Sequence, residues 1–314
     1  MTFRQDRHAA PSSDYPLLGE LPLARTGVDR GCERRMDDAW LPSLMHDDGT
    51  RLLLLSQGRA PVRDGALVLS GPADVPPGSQ LVYLGRSAGH EIVLAVVQEA
   101  PELPGADWLG LRDVAAGLSA LDAGLFVEAV AIANWHAHHT HCPRCGSPTD
   151  IVHSGWVRVC PRDASQHFPR TDPAIIVAIT DDQDRLLLGA NAQWGGRRYS
   201  TLAGFVEPGE SLEEAVVREV GEEAGIRVAS TRYAGSQPWP FPCSLMLGFT
   251  AQAESTAVVP DGEEIIDLRW FTREELGRDI VEGTIGVPSG VSISSALIEH
   301  WYGGPLPEPR HLEN

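Results

Sequence analysis

Apolar residues in this chain fall into runs of two kinds. Short runs at 51–55, 66–69, 81–85 and 91–97, set apart by Gly, Pro and Asp clusters, predict the strands of a small sheet. Residues 122–135 carry Leu125, Val127, Ala129, Val130, Ile132 and Ala133 close together and predict a mostly buried helix. Further on, residues 174–179 form an apolar strand bounded by Asp181 and Asp182, with a hairpin partner at 185–189 and a third strand at 199–206. The period then changes. Leu212, Val216 and Val220 recur every four residues behind Ser211 and Glu214, a capping box, so a helix starts at Ser211 and stops near Gly225. Strands resume at 232–236, 244–250 and 268–271, which predicts a mixed sheet with helices on its faces. No internal repeat or low-complexity segment interrupts the pattern.

The helix after Ser211 places Glu219, Glu222 and Glu223 at i, i+3 and i+4 beside its apolar stripe. Like charges at that spacing cost roughly 0.2–0.5 kcal/mol each, more when partly buried, unless a cation lies among them. Oxygen-rich clusters of this kind suit Mg²⁺ or Mn²⁺, hard ions that bridge to substrate phosphates. A glutamate-rich solvated face is the bland alternative. Against it, the same frame also supplies Gly204, Gly209, Glu210, Arg218 and Gly225, and residues 204–226 resemble the Nudix box at all its defining positions. The resemblance implies hydrolysis of a nucleoside diphosphate linked to another moiety, with a divalent metal held by the box glutamates. It assigns Arg218 and Glu210 to bracing the loop–helix–loop.

A length of 314 residues is a prior for about two domains, and 42% hydrophobic residues is enough for real cores. The net charge of −18 argues against a general duplex-binding protein and fits one that recruits metal to meet an anionic substrate. No basic region followed by an apolar stretch opens residues 1–14, which are polar and turn-rich and expected to be mobile to about residue 16. No apolar run reaches the length of a membrane span, so a soluble, cytoplasmic protein without membrane contact is expected. Five cysteines include Cys142, Cys145 and Cys160, bunched as a metal site rather than a disulfide framework. Cys142-x-x-Cys145-Gly146 is a zinc-knuckle pattern, and Cys160 opens a second half in which Asp163 stands where a regular ribbon has its fourth cysteine. Zinc accepts a carboxylate, so Asp163 is the first choice of fourth ligand, with His167 and His141 as alternatives. Four protein ligands leave no open position, which assigns this zinc to folding. Residues 155–159 read as one strand of the ribbon. The histidines from His136 to His141 read as a solvated helix end, and Cys32 and Cys243 as buried or idle.

Downstream of the box lies Ser236-Gln237-Pro238-Trp239-Pro240-Phe241-Pro242-Cys243-Ser244. Three alternating prolines fix an extended aromatic loop, able to wall a site and stack on a base or a pyridine ring. That loop at this distance from the box, together with the ribbon half and residues 169–173, resembles the NADH pyrophosphatase (NudC-type) branch of the Nudix hydrolase family. The likeness is strong from Cys142 onward and loose before it. It implies an α/β (α+β) fold: a Nudix α/β/α sandwich (172–314) preceded by a zinc ribbon (138–171) and a small mixed α/β N-terminal domain (1–137), structural or dimer-forming. It implies cleavage of NADH or NAD⁺ to nicotinamide mononucleotide and AMP, removal of NAD caps from RNA, and a homodimer in which both subunits shape each site. Carried onto these positions, it implies Mg²⁺ or Mn²⁺ on Glu219, Glu222 and Glu223, with Glu264 as a further ligand or base. It likewise places Phe168 and Phe205 around the nicotinamide ring, with Gln237 and Trp239 in the signature loop. Asp163 in place of cysteine departs from the family pattern. Either Glu222 or Glu264 is the general base. Two rivals stand beside this reading: a Nudix enzyme for ADP-ribose or a nucleoside triphosphate, and a non-catalytic zinc-ribbon nucleic-acid or regulatory module. Arg158, Arg162, Arg170, Arg197 and Arg198 offer either a groove for RNA or ordinary surface.

Overall fold

In the computed structural model, which describes residues 17–194 and 197–309, the chain divides into two compact units. One comprises Pro22–Pro173 with Pro238–Leu245; the other comprises Met1–Leu21, Ala174–Gln237 and Met246–Asn314. The expectations for residues 1–16 lie outside the described residues.

The first unit begins with helix α1 (Trp40–Leu44) and strand β1 (Arg51–Leu55), four of whose five residues are buried because β1 is an inner strand. Its sheet has the order β4-β1-β6-β5, with β4 (Leu69–Ser70), β5 (Gln80–Ser87) and β6 (His90–Val96); β1 and β6 run parallel. The single strand expected at 66–69 is divided. Ala66–Leu67 (β3) pairs with β2 (Arg59–Arg63), and the chain then passes to the other sheet, where β4 pairs with β1. β2 also pairs with β7 (Asp107–Gly110). After a one-turn helix α2 (Leu111–Val114), helix α3 (Ala120–His138) starts at a Ser119 cap whose side chain accepts the Asp122 N–H. α3 buries residues around its whole circumference, including Phe126, Val127, Ala129, Val130 and Trp135, as its largely apolar sequence dictates. The ribbon follows as β8 (Asp150–Val152), β9 (Val157–Val159) and β10 (Gln166–His167). Its middle strand starts at Val157, two residues later than expected. His153–Gly155 forms a tight turn there, and Gly155 presses on Val82 so closely that a Cβ would lie 2.8 Å from its methyl carbons.

In the second unit, β11 (Asp172–Thr180) is central to a seven-stranded sheet. It joins by hairpin to β12 (Leu186–Asn191), and the sheet takes in β13 (Tyr199–Ser200), β14 (Leu202–Phe205), β15 (Val228–Trp239), β16 (Ser244–Ala253) and β17 (Ile265–Phe271). The strand expected at 199–206 is two strands, because β13 pairs with β12 and β14 with β11. At the switch, Ser200 and Thr201 are both buried and each hydroxyl lies 2.8 Å from that of Ser294. One sheet face packs against helix α4 (Leu212–Ala224) through Ala215, Val216, Val220 and Ala224. The other packs against α5 (Arg273–Val281) and α6 (Ile293–Tyr302) through Leu276, Ile280, Leu297 and Trp301. This unit is therefore an α/β/α sandwich.

Candidate active site

The box is set by contacts at both ends of α4. Ser211 accepts the Glu214 N–H at 3.2 Å while the Glu214 carboxylate accepts the Ser211 N–H at 3.2 Å, the reciprocal cap foreseen from the sequence. At the far end Gly225 takes the left-handed conformation, φ 68°, and closes the helix onto the Gly221 carbonyl. Arg218 grips the preceding loop. Its Nε and Nη2 donate to the two oxygens of Glu210 at 2.7 and 3.0 Å, and Nη2 also donates to the Phe205 carbonyl at 2.9 Å. The fork fits the carboxylate bidentately, so the pair fixes where the loop leaves β14. Arg218 Nη1 is spent on two box acids, Glu219 at 2.9 Å and Glu222 at 3.0 Å.

Gly204 shows why the box opens on glycine. A Cβ there would lie 1.9 Å from the Glu219 carboxyl carbon, so only a bare backbone lets that acid lie against β14. Burial raises the Glu219 carboxyl against the opposing pull of Arg218. Glu223 is more extreme: it is 6% exposed, and its Oε2 has no hydrogen-bond partner. Burial, then the charges of Glu219, Glu264, Asp261 and Glu222, push its carboxyl up to about 8. The neighbours that act on it most strongly are all acids. A divalent cation would supply the missing positive charge, and the donor set fits Mg²⁺ or Mn²⁺, the ions that Nudix hydrolases use. The structure thus brings Glu219, Glu223 and Glu264 into one electrostatic cluster, with the largely exposed Glu222 at its edge.

The ribbon cluster is built on another plan. Among the described residues, Cys142, Cys145, Cys160 and Asp163 are the one group of ligand atoms that all lie within 4.8 Å of one another. The Cys145 and Cys160 sulfurs are 3.5 Å apart, and Cys142 Sγ is 3.8 Å from Asp163 Oδ2. Those separations approach the edge of a tetrahedron with ligands about 2.3 Å from zinc, roughly 3.8 Å. Two knuckles face each other with the same backbone bonds. Gly146 N–H donates to the Cys142 carbonyl and Ala164 N–H to the Cys160 carbonyl, at 2.8 and 2.9 Å. Asp163 therefore occupies the second knuckle's cysteine position. Its Oδ1 accepts both the N–H and the hydroxyl of Ser165, at 2.9 and 2.6 Å, leaving Oδ2 toward the sulfurs. His141 and His167 stand outside the group.

The substrate positions that the resemblance implies separate in character. Phe205 and Phe168 are 60% and 62% exposed, free to receive a ring. Trp239 is partly buried, edge-on to Phe241 at 5.0 Å, and both rings lie under the Arg112 guanidinium. Gln237, expected among the substrate-binding positions of the loop, is fully buried, and its Nε2 donates to the Val291 carbonyl at 2.9 Å.

Several expectations for polar residues change. His136 is 3% exposed rather than solvated. Its Nε2 donates to the Gly155 carbonyl at 2.8 Å and Nδ1 accepts from Arg158 at 3.0 Å, so burial holds the ring neutral with its value lowered to about 4. Arg158, buried and bonded to Thr149, is no part of a surface groove. Cys32 is exposed, and the partly buried Cys243 thiol donates to Asp172 at 3.3 Å. Two acids escaped the sequence reading. Asp261 lies beside the box cluster, and Glu128 lies buried in α3 opposite Arg30 at 3.3 Å. The first was hidden by the exposed, turn-like look of 261–264, the second by the apolar run around it.

Comparison with known proteins agrees with this geometry. A family model described as the NUDIX domain matches residues 170–285. The NADH pyrophosphatase zinc ribbon domain matches residues 137–168, and the NADH pyrophosphatase-like rudimentary NUDIX domain residues 39–135. The chain is 36% identical over 313 residues to a protein of Mycobacterium tuberculosis named NAD-capped RNA hydrolase NudC, covering 92% of this chain and 96% of that one. A protein of the same name from Stutzerimonas stutzeri is 39% identical over 231 residues, 72% of this chain and 79% of that one. The Macaca fascicularis NAD-capped RNA hydrolase NUDT12 is 40% identical over 192 residues, 57% of this chain and 42% of that one. Two acid-cluster and ribbon sites of the expected make, three matching domain models and likeness over nearly the whole chain lead to one statement: this chain belongs to the NADH pyrophosphatase, NudC-type branch of the Nudix hydrolase family.

Proposed function

We propose that this chain hydrolyses the pyrophosphate bond of NAD(H) to nicotinamide mononucleotide and AMP, and that the same site removes NAD caps from RNA 5′ ends. The observation that carries the reading is Glu223, buried among four other acids with an oxygen left without a partner. Glu219, Glu222 and Glu223 would hold Mg²⁺ or Mn²⁺, which would supply charge to the pyrophosphate oxygens and acidify a water. Arg218 Nη1 bridges Glu219 and Glu222 and offsets their mutual repulsion, and Glu264 is the general base. Glu222 is tied to Arg218 at 3.0 Å, whereas the exposed Glu264 side chain has no hydrogen bond or ion pair among the described residues, so it is the acid free to accept a proton. Phe168 and Phe205 offer their exposed faces to the nicotinamide, and Trp239 stiffens the loop. Cys142, Cys145, Cys160 and Asp163 hold a structural zinc.

Three further points belong to this reading. The chain divides functionally as 1–137, 138–171 and 172–314. It works as a homodimer, which sedimentation would refute by returning the mass of a single chain. Among the described residues no helix is long and apolar enough to cross a membrane, and action in the cytoplasm is part of the proposal. The test of substrate is hydrolysis of NADH, NAD⁺ and ADP-ribose side by side with Mn²⁺, products resolved by chromatography. Release of AMP and nicotinamide mononucleotide with ADP-ribose cut poorly supports the proposal; ADP-ribose cut as fast as NADH, or neither dinucleotide cut, refutes it.

A further inference from the structure

Glu264 sits on a short exposed connection leading into β17, a poor place for a group that must hold a proton acceptor steady. Its backbone is nonetheless fixed on both sides. Asp261 Oδ1 accepts three consecutive backbone N–H groups, those of Glu263, Glu264 and Ile265, at 3.0, 3.1 and 2.9 Å. The Gly262 N–H closes the turn on the Ile265 carbonyl at 3.0 Å, and Ala192 N–H donates to the Glu264 carbonyl at 2.9 Å. Ile265, the residue after Glu264, is buried in the sheet. One carboxylate oxygen thus converts a four-residue turn into a rigid bracket whose outward side chain is Glu264.

We propose that Asp261 is a positioning residue for the reaction, holding Glu264 against the Glu219 and Glu223 carboxylates by gathering the 263–265 amides. This inference rests on the reading of Glu264 as a group of the catalytic cluster. The bracket rests on geometry, three consecutive backbone N–H groups converging on one carboxylate oxygen. The role needs an acceptor oxygen at that point and does not need the negative charge. A direct contact of Asp261 with the cation would need the charge as well. That difference makes the two readings separable, because asparagine keeps the oxygen and drops the charge.

The experiment compares Asp261→Ala, Asp261→Asn, Glu264→Gln and the double variant Asp261→Ala/Glu264→Gln, measuring kcat and KM for NADH with Mn²⁺ and amide hydrogen exchange at residues 263–265. Asp261→Ala is expected to lower kcat about a hundredfold, near the loss in Glu264→Gln, as befits a displaced general base. KM should stay within about threefold, since substrate binding is not the target. Asp261→Asn should recover most of the kcat lost in the alanine variant, and the double variant should be no slower than Glu264→Gln alone. Exchange at the three amides should rise in Asp261→Ala and stay near wild type in Asp261→Asn. An asparagine variant as slow as the alanine variant overturns the proposal, and so does a double variant in which the two losses multiply. Unchanged exchange in Asp261→Ala overturns it too, whatever the rates. Should Glu264→Gln retain the wild-type rate, it is the assignment of Glu264 that fails, while the exchange measurement still decides whether Asp261 holds the bracket.

Discussion

The acid cluster on α4 and the ribbon cluster on the two knuckles present metal ligands in opposite ways. In the ribbon, four ligand atoms already lie within 4.8 Å of one another, and Ser165 turns the one carboxylate so that a single oxygen faces the sulfurs. On α4, Arg218 Nη1 bridges Glu219 and Glu222, and Glu223 is buried with one oxygen unmatched. A closed set of four leaves no room for substrate and contributes to folding; an open, overcharged set draws a cation that still has positions for phosphate oxygens and water.

The largest effect that follows from the contrast is at the open site. Glu222→Gln should lower kcat for NADH by about a hundredfold or more while leaving thermal unfolding nearly unchanged, because this acid is largely exposed. A variant keeping more than a few per cent of the wild-type rate would remove Glu222 from the cluster.

Next in size is a pH effect confined to the metal-free protein. Burial and neighbouring acids raise the Glu223 carboxyl to about 8 in the folded chain. Between the ordinary glutamate range and that value the folded state binds the extra proton, so stability falls as pH rises across this window. Buried Glu128, raised to about 7 chiefly by burial, adds to the same slope. Unfolding temperatures of metal-free protein from pH 5 to 8 should therefore drop more steeply in wild type than in Glu223→Gln. Saturating Mn²⁺ should flatten the wild-type slope. Equal slopes in the two proteins would deny Glu223 its buried, uncompensated charge.

The smallest effect lies in the ribbon. Ala164 holds φ 57° at the position where the first knuckle has Gly146 at φ 70°. Ala164→Gly should relieve about 1 kcal/mol of left-handed strain, raising Tm by about 2 °C with zinc bound. No change, or a fall, would mean that the two knuckles are not equivalent.

Features written in local sequence were legible before the structure. The α4 cap, its stop at Gly225, the glutamate spacing and the cysteine spacing each depend on residues within one or two turns of one another. The place of Asp163 beside the three cysteines was readable because a knuckle has a fixed length. What escaped depended on distant partners. Ser200 and Thr201 break a strand because Ser294 meets them, and Gln237 turns inward because the Val291 carbonyl lies beneath it. His136 leaves the solvent because Arg158 and Gly155 close over it. Asp261 is hidden by sequence for another reason: its three bonds are local, but their use comes from the acids of α4, more than thirty residues away.

The measurement that bears most directly on the account is NADH cleavage followed together with zinc content while weakly held metal is stripped by a mild chelator and Mn²⁺ is returned. The account predicts that activity falls to background with about one zinc per chain retained, and that Mn²⁺ restores it without any change in zinc. Activity that persists after stripping, or that follows zinc rather than Mn²⁺, would contradict the assignment of the open cluster to catalysis and of the closed one to folding.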